Sequence, residues 1–191
     1  MTALPDYRNP LTAAEYAALP EDTEHRYELQ EGWVMMSPRP VPDHQDGIHR
    51  LHVQLEGQLP RHKVLQEVDV DLELAPPTRP GTVRVPDLVV VEIAAHLRVR
   101  RERTLLRASE VLLAVEFLSP GSTRIDTLVK HHEYADAGIP HYWIVDLDDG
   151  PSLTACHLAG EFGYQNAAPE RGVLVTDTPF PLRIDVAALL S

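Results

Sequence analysis

The chain has 191 residues, a length that suits a single domain over residues 1–191. Its hydrophobic fraction of 43% and charged fraction of 24% argue against a disordered or fibrous chain, and its net charge of −12 argues against broad nonspecific binding to nucleic acid. No apolar run approaches the roughly 20 residues that cross a bilayer, and the first residues lack a signal-peptide pattern, so we expect a cytoplasmic protein with no membrane partner.

The first part of the chain predicts a short helix, a hairpin and a longer helix. Residues 11–19 form the short helix, with Thr12 as its N-cap. Strands at residues 26–29 and 33–36 flank a Gly-containing turn, the pattern of a β-hairpin. An amphipathic helix then follows, because apolar residues recur at spacings of three and four, and Asp43 is its candidate N-cap.

The middle of the chain predicts the centre of a sheet. Residues 64–74 alternate between apolar and acidic side chains, which predicts one half-exposed strand. Residues 85–93 and 111–118 are nearly unbroken apolar runs, typical of strands buried on both faces, and we expect them to lie side by side. Residues 122–137 predict a helix that Gly138 ends.

A third buried strand is predicted at residues 141–146, and the pattern as a whole is that of an α/β (α+β) domain. The C-terminal part alternates weakly, which predicts an antiparallel meander with a short final helix near residues 185–190. Cys156 is the chain's one cysteine, and we interpret it as a small buried hydrophobic residue in a reducing compartment.

Two acidic residues stand inside these apolar runs. Asp87 lies at the start of one and Glu116 within the next. A buried unpaired carboxylate costs several kcal/mol, roughly the effective desolvation penalty of an ion, unless a cation or hydrogen-bond donors compensate for it. Mg²⁺ prefers carboxylate, carbonyl and water oxygens, so Asp87, Glu116 and the main-chain carbonyl of Phe117 are candidate ligands of a divalent metal.

Lysine is rare in this chain, which has fifteen arginines and two lysines, Lys63 and Lys130. The compact ammonium of Lys130 suits the orientation of an attacking water or the stabilisation of charge on a phosphate. Asp126, Lys130 and Tyr134 share one face of the predicted helix. The alternative is an ion pair between Asp126 and Lys130 on the helix surface.

A cluster of arginines follows the first central strand and is the best candidate for contact with nucleic-acid phosphates. Its alternative interpretation is a solvated connector. The cluster consists of Arg98, Arg100, Arg101, Arg103 and Arg107, and the first four are the candidate nucleic-acid contacts. His49 and His52 lie three residues apart on the predicted second helix, and the alternative of a zinc site there lacks the usual partner residues.

A series of short motifs runs in order along nearly the whole chain. They are Tyr27–Leu29 with Gly32, Met35–Pro38, Val85–Val90, Val115–Pro120, Tyr134, Ala137–Pro140 and Tyr142–Asp146. In this series the chain resembles the Uma-two family of restriction-type endonucleases, within the PD-(D/E)XK nuclease superfamily. The resemblance implies a restriction-endonuclease-like core, a central mixed β-sheet flanked by helices, and hydrolysis of phosphodiester bonds.

The resemblance also implies roles for individual residues. Asp87 and Glu116 would be the acidic ligands of Mg²⁺ or Mn²⁺, and Glu28 would be a third acidic ligand or a base beside the metal. The alternative for Glu28 is a surface charge at a helix end or in the hairpin. His44 and Gln45 match a pair that would face the site.

The chain departs from the superfamily pattern at one position. Leu118 stands where the motif lysine is expected, so the ammonium would have to come from Lys130 on the following helix.

Three functions are compatible with these observations. The first is a metal-dependent endonuclease that cleaves nucleic acid, with DNA as the expected substrate. The second is a nuclease-fold module that has lost catalysis and acts in nucleic-acid binding or protein interaction, which the acidic charge and Leu118 favour. The third is an oligomeric structural protein, suggested by apolar residues of the C-terminal meander. A homodimer is expected from the resemblance and is compatible with all three.

Overall fold

The structure, a computed structural model, describes residues 9–20, 25–37, 41–118 and 124–190. Within these ranges the helices are α1 (Ala13–Ala17), α2 (Pro42–Glu56), α3 (Ile93–Glu102) and α4 (Arg124–Asp136). The strands are β1 (Arg26–Gln30), β2 (Trp33–Ser37), β3 (His62–Gln66), β4 (Val70–Asp71), β5 (Val83–Arg84), β6 (Leu88–Glu92), β7 (Leu106–Arg107), β8 (Val111–Phe117), β9 (His141–Asp146), β10 (Ser152–Leu158), β11 (Tyr164–Asn166), β12 (Val173–Thr176) and β13 (Leu182–Asp185). None of the helices in these ranges is long and apolar enough to cross a membrane.

The central sheet has six strands in the order β11-β10-β9-β8-β6-β3. Strands β8 and β9 run parallel, and the other neighbours are antiparallel, so the sheet is mixed as predicted. The two buried runs lie side by side at its centre, where Leu88 of β6 is paired with Val115 of β8. This pairing places Asp87 and Glu116 at the same end of two adjacent strands.

Both faces of the central sheet are covered, which is why its strands are apolar throughout. On one face, Leu51 of α2 packs with Val90 and Val115 in a buried cluster. On the other face, Ala114 packs with Tyr134 of α4. Each fully buried Val or Leu stabilises the fold by roughly 1.5–3 kcal/mol. Because side chains alternate along a strand, Glu116 lies on the same face as Ala114 and therefore on the side of α4.

A second sheet has the order β2-β1-β5-β4-β7. Its first two strands form the predicted hairpin, with a turn at Glu31 and Gly32 whose φ angles are 49° and 86°. Such positive φ values favour glycine, which explains Gly32. Strand β1 also pairs with β5, with Leu29 opposite Val83. This pairing brings the neighbouring residues Glu28 and Arg84 together.

Two strand predictions are wrong in their extent. Residues 64–74 form two strands, β3 in the central sheet and β4 in the second sheet, separated by Glu67 with φ of 50°. Residues 85–93 contain only β6, because β5 ends at Arg84 in the other sheet and α3 begins at Ile93. Pro86 lies between β5 and β6, where it lacks the N–H that a continuous central strand would use. In both places the chain passes from one sheet to another within a few residues.

Of the residues predicted to begin or end helices, two are confirmed and one is wrong. The capping box of Thr12 and Glu15 at the start of α1 is confirmed. Asp43 is not the N-cap of α2, because Val41 occupies that position and Pro42 begins the helix. Helix α4 ends before Gly138, which has φ of 77°, as predicted.

Three segments were predicted to form an antiparallel meander: residues 153–158, 162–165 and 173–175. The first two correspond to β10 and β11, which continue antiparallel from β9 at the edge of the central sheet. The third is wrong in its placement, because it forms β12 outside the central sheet. The final helix is a single 3₁₀ turn at Ala187–Leu189, and strand β13 precedes it. This strand pairs with β12 in a separate hairpin and alternates buried Leu182 and Ile184 with exposed residues. This alternation of buried and exposed residues along β13 was not predicted from the sequence.

Candidate functional site

Asp87 lies directly before β6 and is 3% exposed. Its Oδ2 atom accepts a hydrogen bond of 2.7 Å from the backbone N–H of Phe117 on β8. A buried carboxylate that accepts a backbone N–H is fixed in orientation, because losing this bond would leave a buried donor unsatisfied. Asp87 is thereby held beside the end of β8 that carries Glu116.

Glu116 points from β8 towards α4. Its Oε1 atom accepts hydrogen bonds from Lys130 Nζ at 3.0 Å and from the Tyr134 hydroxyl at 2.7 Å. Lys130 and Tyr134 are four residues apart on α4, so the shared helix face predicted for them is confirmed. Asp126 lies on the same helix, but its side chain is outside the described part of the chain.

Glu28 on β1 is the third acidic residue that meets Lys130. Its Oε1 atom lies 3.1 Å from Lys130 Nζ and accepts the backbone N–H of Val85 at 3.2 Å. Lys130 therefore joins Glu28 of the second sheet to Glu116 of the central sheet. Each carboxylate is less than a tenth exposed.

Arg84 and Glu133 extend this network, and the sequence analysis missed both. Arg84 donates from Nη1 to Glu28 at 2.9 Å, and from Nε and Nη2 to the two oxygens of Glu133, each at 2.7 Å. A signal was present in the sequence, because Arg84 is a charged residue beside an apolar run, just as Asp87 is. Its partner Glu133 could not be read from spacing alone, since the two residues are 49 positions apart.

His44 reaches the same end of β8 from α2. Its Nε2 atom lies 3.1 Å from the carbonyl oxygen of Phe117 and 3.4 Å from Asp87 Oδ2. Burial disfavours the charged imidazole, but the hydrogen bond and the charge of Asp87 outweigh it and raise the pKa of His44. Gln45 is exposed, and within the described part of the chain no side-chain hydrogen bond joins it to a site residue.

The approach of α2 to this strand end depends on Gly47. A Cβ atom at this position would lie 2.9 Å from Phe117 Cε1 and 3.1 Å from Leu147 Cδ1. Both distances are too short for ordinary contact between carbon atoms. The absence of a side chain at Gly47 therefore lets the helix come close enough for His44 to reach Phe117.

The charges of this network do not balance among the described residues. Five carboxylates meet three cationic side chains, which leaves two negative charges when His44 is neutral. The carboxylates are those of Glu28, Glu67, Asp87, Glu116 and Glu133, and the cations are Arg26, Arg84 and Lys130. A bound divalent cation would offset two negative charges.

The pKa of Glu116 reflects this imbalance. This pKa is raised to about 7, chiefly by burial and also by the carboxylates of Asp87 and Glu28, and the ammonium of Lys130 offsets part of this rise. In contrast, Lys130 and Arg84 outweigh the effect of burial on Glu28 and lower its pKa. Burial opposes the charge on Lys130, but Glu116 and Glu28 raise its pKa, so the ammonium stays protonated.

The donor set fits a hard divalent metal. Asp87 and Glu116 supply carboxylate oxygens, and Phe117 supplies a carbonyl oxygen beside Asp87. Among the described residues, no group of three or more His, Cys, Asp or Glu side chains is arranged to hold a metal. Mg²⁺ is commonly bound by one or two carboxylates with water and substrate phosphate completing its shell, so two side chains and a carbonyl suffice.

The predicted arginine cluster lies on and just after α3. Arg98 donates to both carboxylate oxygens of Glu110 at 2.6 Å, so its guanidinium is occupied within the fold. Glu110 directly precedes β8, at the end opposite to Glu116, and six residue steps of about 3.3 Å each separate the two residues by roughly 20 Å. The exposed members of the cluster are Arg100, Arg101, Arg103 and, on β7, Arg107. Of these, Arg101 also forms a surface ion pair with Glu102.

Two further predictions concern the histidines of α2 and the single cysteine. His52 Nε2 lies 3.6 Å from Glu56 Oε2, one turn further along α2. The described residues contain no metal-binding group that includes His49. The zinc alternative is therefore without support. Cys156 is buried and free, as predicted, and burial raises the pKa of its thiol to about 12.

Comparison with known proteins identifies the family. The Uma2 family model, described as "Putative restriction endonuclease", matches residues 13–187. The chain belongs to the Uma2 family. No curated protein matches it. Among solved structures, a protein of Anabaena variabilis ATCC 29413, described as "a putative nuclease belonging to DUF820", is similar with a TM-score of 0.71 and 19% identity, over 94% of this chain and 97% of the other. This similarity shows the fold, and it confirms the nuclease-like architecture expected for a Uma2 chain.

Proposed function

We propose that this Uma2 chain is a divalent-metal-dependent endonuclease that hydrolyses phosphodiester bonds of DNA, with residues 1–191 acting as one domain. One observation carries the proposal: Lys130 Nζ lies 3.0 Å from Glu116 on a strand end that also holds Asp87. Two carboxylates can hold a divalent metal, and an ammonium beside them can orient a water or stabilise charge on a phosphate, so this network suits metal-assisted phosphodiester hydrolysis. The membership of the Uma2 family supports the same reaction class.

Asp87, Glu116 and the carbonyl of Phe117 would hold Mg²⁺ or Mn²⁺. The metal, when bound, acts as a Lewis acid that polarises the phosphate and lowers the pKa of a water ligand. The backbone N–H of Phe117 keeps the Asp87 carboxylate oriented. His44 lies against both Asp87 Oδ2 and the Phe117 carbonyl, and it would keep these oxygens in position.

Lys130 would orient the nucleophile and stabilise charge on the phosphate. Its ammonium has three N–H donors, and the protein uses two of them for Glu116 and Glu28. The third donor can point to a water or a phosphate oxygen. Glu28 would hold the ammonium from the side of the second sheet, while its lowered pKa keeps it charged.

The departure at Leu118 favours the alternative of an inactive nuclease-fold module. The structure weakens that alternative, because the ammonium that position 118 lacks is supplied to Glu116 by Lys130. Lys130 on α4 thus brings to the Glu116 carboxylate the ammonium that a lysine at position 118 would otherwise supply. We therefore prefer the catalytic function.

Contact with DNA would use three exposed arginines of the cluster, Arg100, Arg101 and Arg103, since Arg98 is paired within the fold. These side chains offer phosphate contacts on a chain whose net charge is −12. A homodimer is also part of the proposal, because a duplex has two strands and two copies would bring one site to each.

Incubation with supercoiled plasmid and with single-stranded DNA, in Mg²⁺, Mn²⁺ or chelator, tests the proposal. We expect metal-dependent cleavage by the native chain and none by the Asp87→Asn variant. Asp46→Asn is the matched control, because Asp46 pairs with Arg50 on the exposed side of α2. A folded native protein that cleaves neither substrate with either metal would overturn the proposal and favour the inactive module.

A further inference from the structure

We propose that Arg84, acting together with Glu133, is a positioning residue that fixes the ammonium of Lys130 between Glu28 and Glu116. This inference rests on the proposed function, because it assigns to Arg84 and Glu133 the task of holding Lys130 in its catalytic orientation. Neither residue is among the site residues predicted from the sequence.

Arg84 uses the two edges of its guanidinium for two different elements. On one edge, Nε and Nη2 donate hydrogen bonds to the two carboxylate oxygens of Glu133 on α4. On the other edge, Nη1 donates a hydrogen bond to Glu28 on β1. Such bidentate contacts between guanidinium and carboxylate are directional as well as strong. Arg84 is 5% exposed, so solvent screens these contacts little. The guanidinium therefore ties α4 to the second sheet at a fixed distance.

Lys130 is located between the two groups that Arg84 holds. It lies three residues before Glu133, on the same side of α4, and its ammonium binds the Oε1 atom of Glu28 while Arg84 binds Oε2. A displacement of α4 or a rotation of Glu28 would change the position of Lys130 Nζ relative to Glu116. Arg84 therefore fixes the position of the Lys130 ammonium through Glu133, on the same helix, and through Glu28, which binds the ammonium.

Arg84 makes no contact with Asp87 or Glu116 in the described structure, so it can act on the ammonium without touching the proposed metal ligands. Because Arg84 does not touch the proposed metal ligands, its role predicts different effects on turnover and on metal affinity. Loss of the Arg84 contacts should impair turnover and leave metal affinity unchanged. A residue needed only for folding would not separate the two properties in this way.

The variants for the test are Arg84→Lys and Glu133→Gln. A lysine cannot bind Glu133 through two donors and reach Glu28 at once. Glutamine keeps the shape of Glu133 but removes its charge, and it offers a second route if Arg84→Lys does not fold. Arg98→Lys is the matched control, because Arg98 forms an equivalent two-donor pair with Glu110 away from the site.

The first readout does not need activity. The native chain has only two lysines, so selective isotope labelling of lysine side chains distinguishes two residues by NMR, and Lys63→Arg assigns them. Because Arg84→Lys and Arg98→Lys would each add a third lysine, this readout uses Arg84→Gln and Arg98→Gln in their place. We expect Arg84→Gln and Glu133→Gln to shift the Lys130 signal and to leave the Lys63 signal in place. Arg98→Gln should shift neither. An unmoved Lys130 signal in a folded Arg84→Gln protein would overturn the inference, even if the native chain cleaves no DNA.

The second readout is kinetic. We expect kcat for plasmid nicking to fall about 10- to 100-fold in Arg84→Lys, as for outer-shell partners of metal sites, with KM and Mn²⁺ affinity unchanged within about twofold. In a Lys130→Met background, Arg84→Lys should lower kcat no further, because its effect passes through Lys130. An equal further loss in that background, or a loss of Mn²⁺ affinity, would contradict the positioning role.

Discussion

The ammonium of Lys130 lies 3.0 Å from Oε1 of Glu116, although the two residues are 14 positions apart and belong to different layers of the fold. Glu116 projects from the central sheet, and Lys130 projects from the helix that covers it. Leu118, two residues beyond Glu116, carries no charge that could do the same. The contact explains how a chain without the motif lysine can still place an ammonium at its acidic site.

Asp87→Asn should weaken the binding of Mn²⁺ by at least about tenfold. The asparagine retains an oxygen that can accept the N–H of Phe117, so the strand end should keep its structure. What is lost is one of the two carboxylates that we propose as metal ligands. Isothermal titration calorimetry measures the affinity, with Asp46→Asn as the control. An unchanged affinity would show that the metal binds elsewhere.

Gly47→Ala should lower the free energy of unfolding by about 1–3 kcal/mol, the usual cost of an overpacked core contact. The added methyl group would lie 2.9 Å from Phe117 Cε1 and would push α2 away from β8. Urea denaturation measures the change. Gln45→Ala, at an exposed position of the same helix, controls for the helix propensity of alanine. A Gly47→Ala variant as stable as the native chain would show that α2 does not need this close approach.

Neutralising the exposed arginines should weaken DNA binding and reduce its dependence on salt. Each lost phosphate contact should lower the slope of log K against log salt by about 0.9. Fluorescence anisotropy at several salt concentrations measures this slope in the presence of Ca²⁺. The variant replaces Arg100, Arg101 and Arg103 with Gln, and the control of equal net charge replaces Arg50, Arg171 and Arg183. Equal slopes in variant and control would remove the cluster from the interface.

Without metal, the protein should become less stable as the pH rises from about 4.5 to about 7. Burial raises the pKa of Glu116 from 4.5 to about 7, so the folded chain keeps a proton that the unfolded chain has lost. The stability linked to this proton is present below pH 4.5 and is lost as the pH rises through 7.

Urea denaturation of the native chain and Glu116→Gln in chelator measures this effect. Glutamine does not titrate, so the native chain should lose stability relative to the variant over this pH window. A constant difference between the two proteins would contradict the raised pKa.

The central site was largely predictable from the sequence. Asp87 and Glu116 are carboxylates in apolar runs, and burial of such groups is costly enough to demand a compensating cation. Lys130 stood out because lysine is so rare in this chain. The helix period then placed Tyr134 beside it, and both side chains reach Glu116 in the structure.

The rest depends on contacts between elements that spacing does not reveal. Arg84 meets Glu133 because the second sheet packs beside α4, and no local pattern records this packing. The break at Glu67 was hidden because the alternation of apolar and acidic residues continues through it, although the chain changes sheets there. Sequence periodicity indicates which faces are buried, but not which sheet buries them.

The most direct test of the account compares plasmid cleavage by Lys130→Met with cleavage by Lys63→Met, each with Mn²⁺ and with matched folding controls. Both variants remove one ammonium, but only Lys130 contacts Glu116 and Glu28. We expect Lys130→Met to lose at least about 100-fold in kcat, within the range for a general acid–base or orienting group, and Lys63→Met to retain native activity. Equal activity of the two folded variants would contradict the central claim that Lys130 supplies the catalytic ammonium.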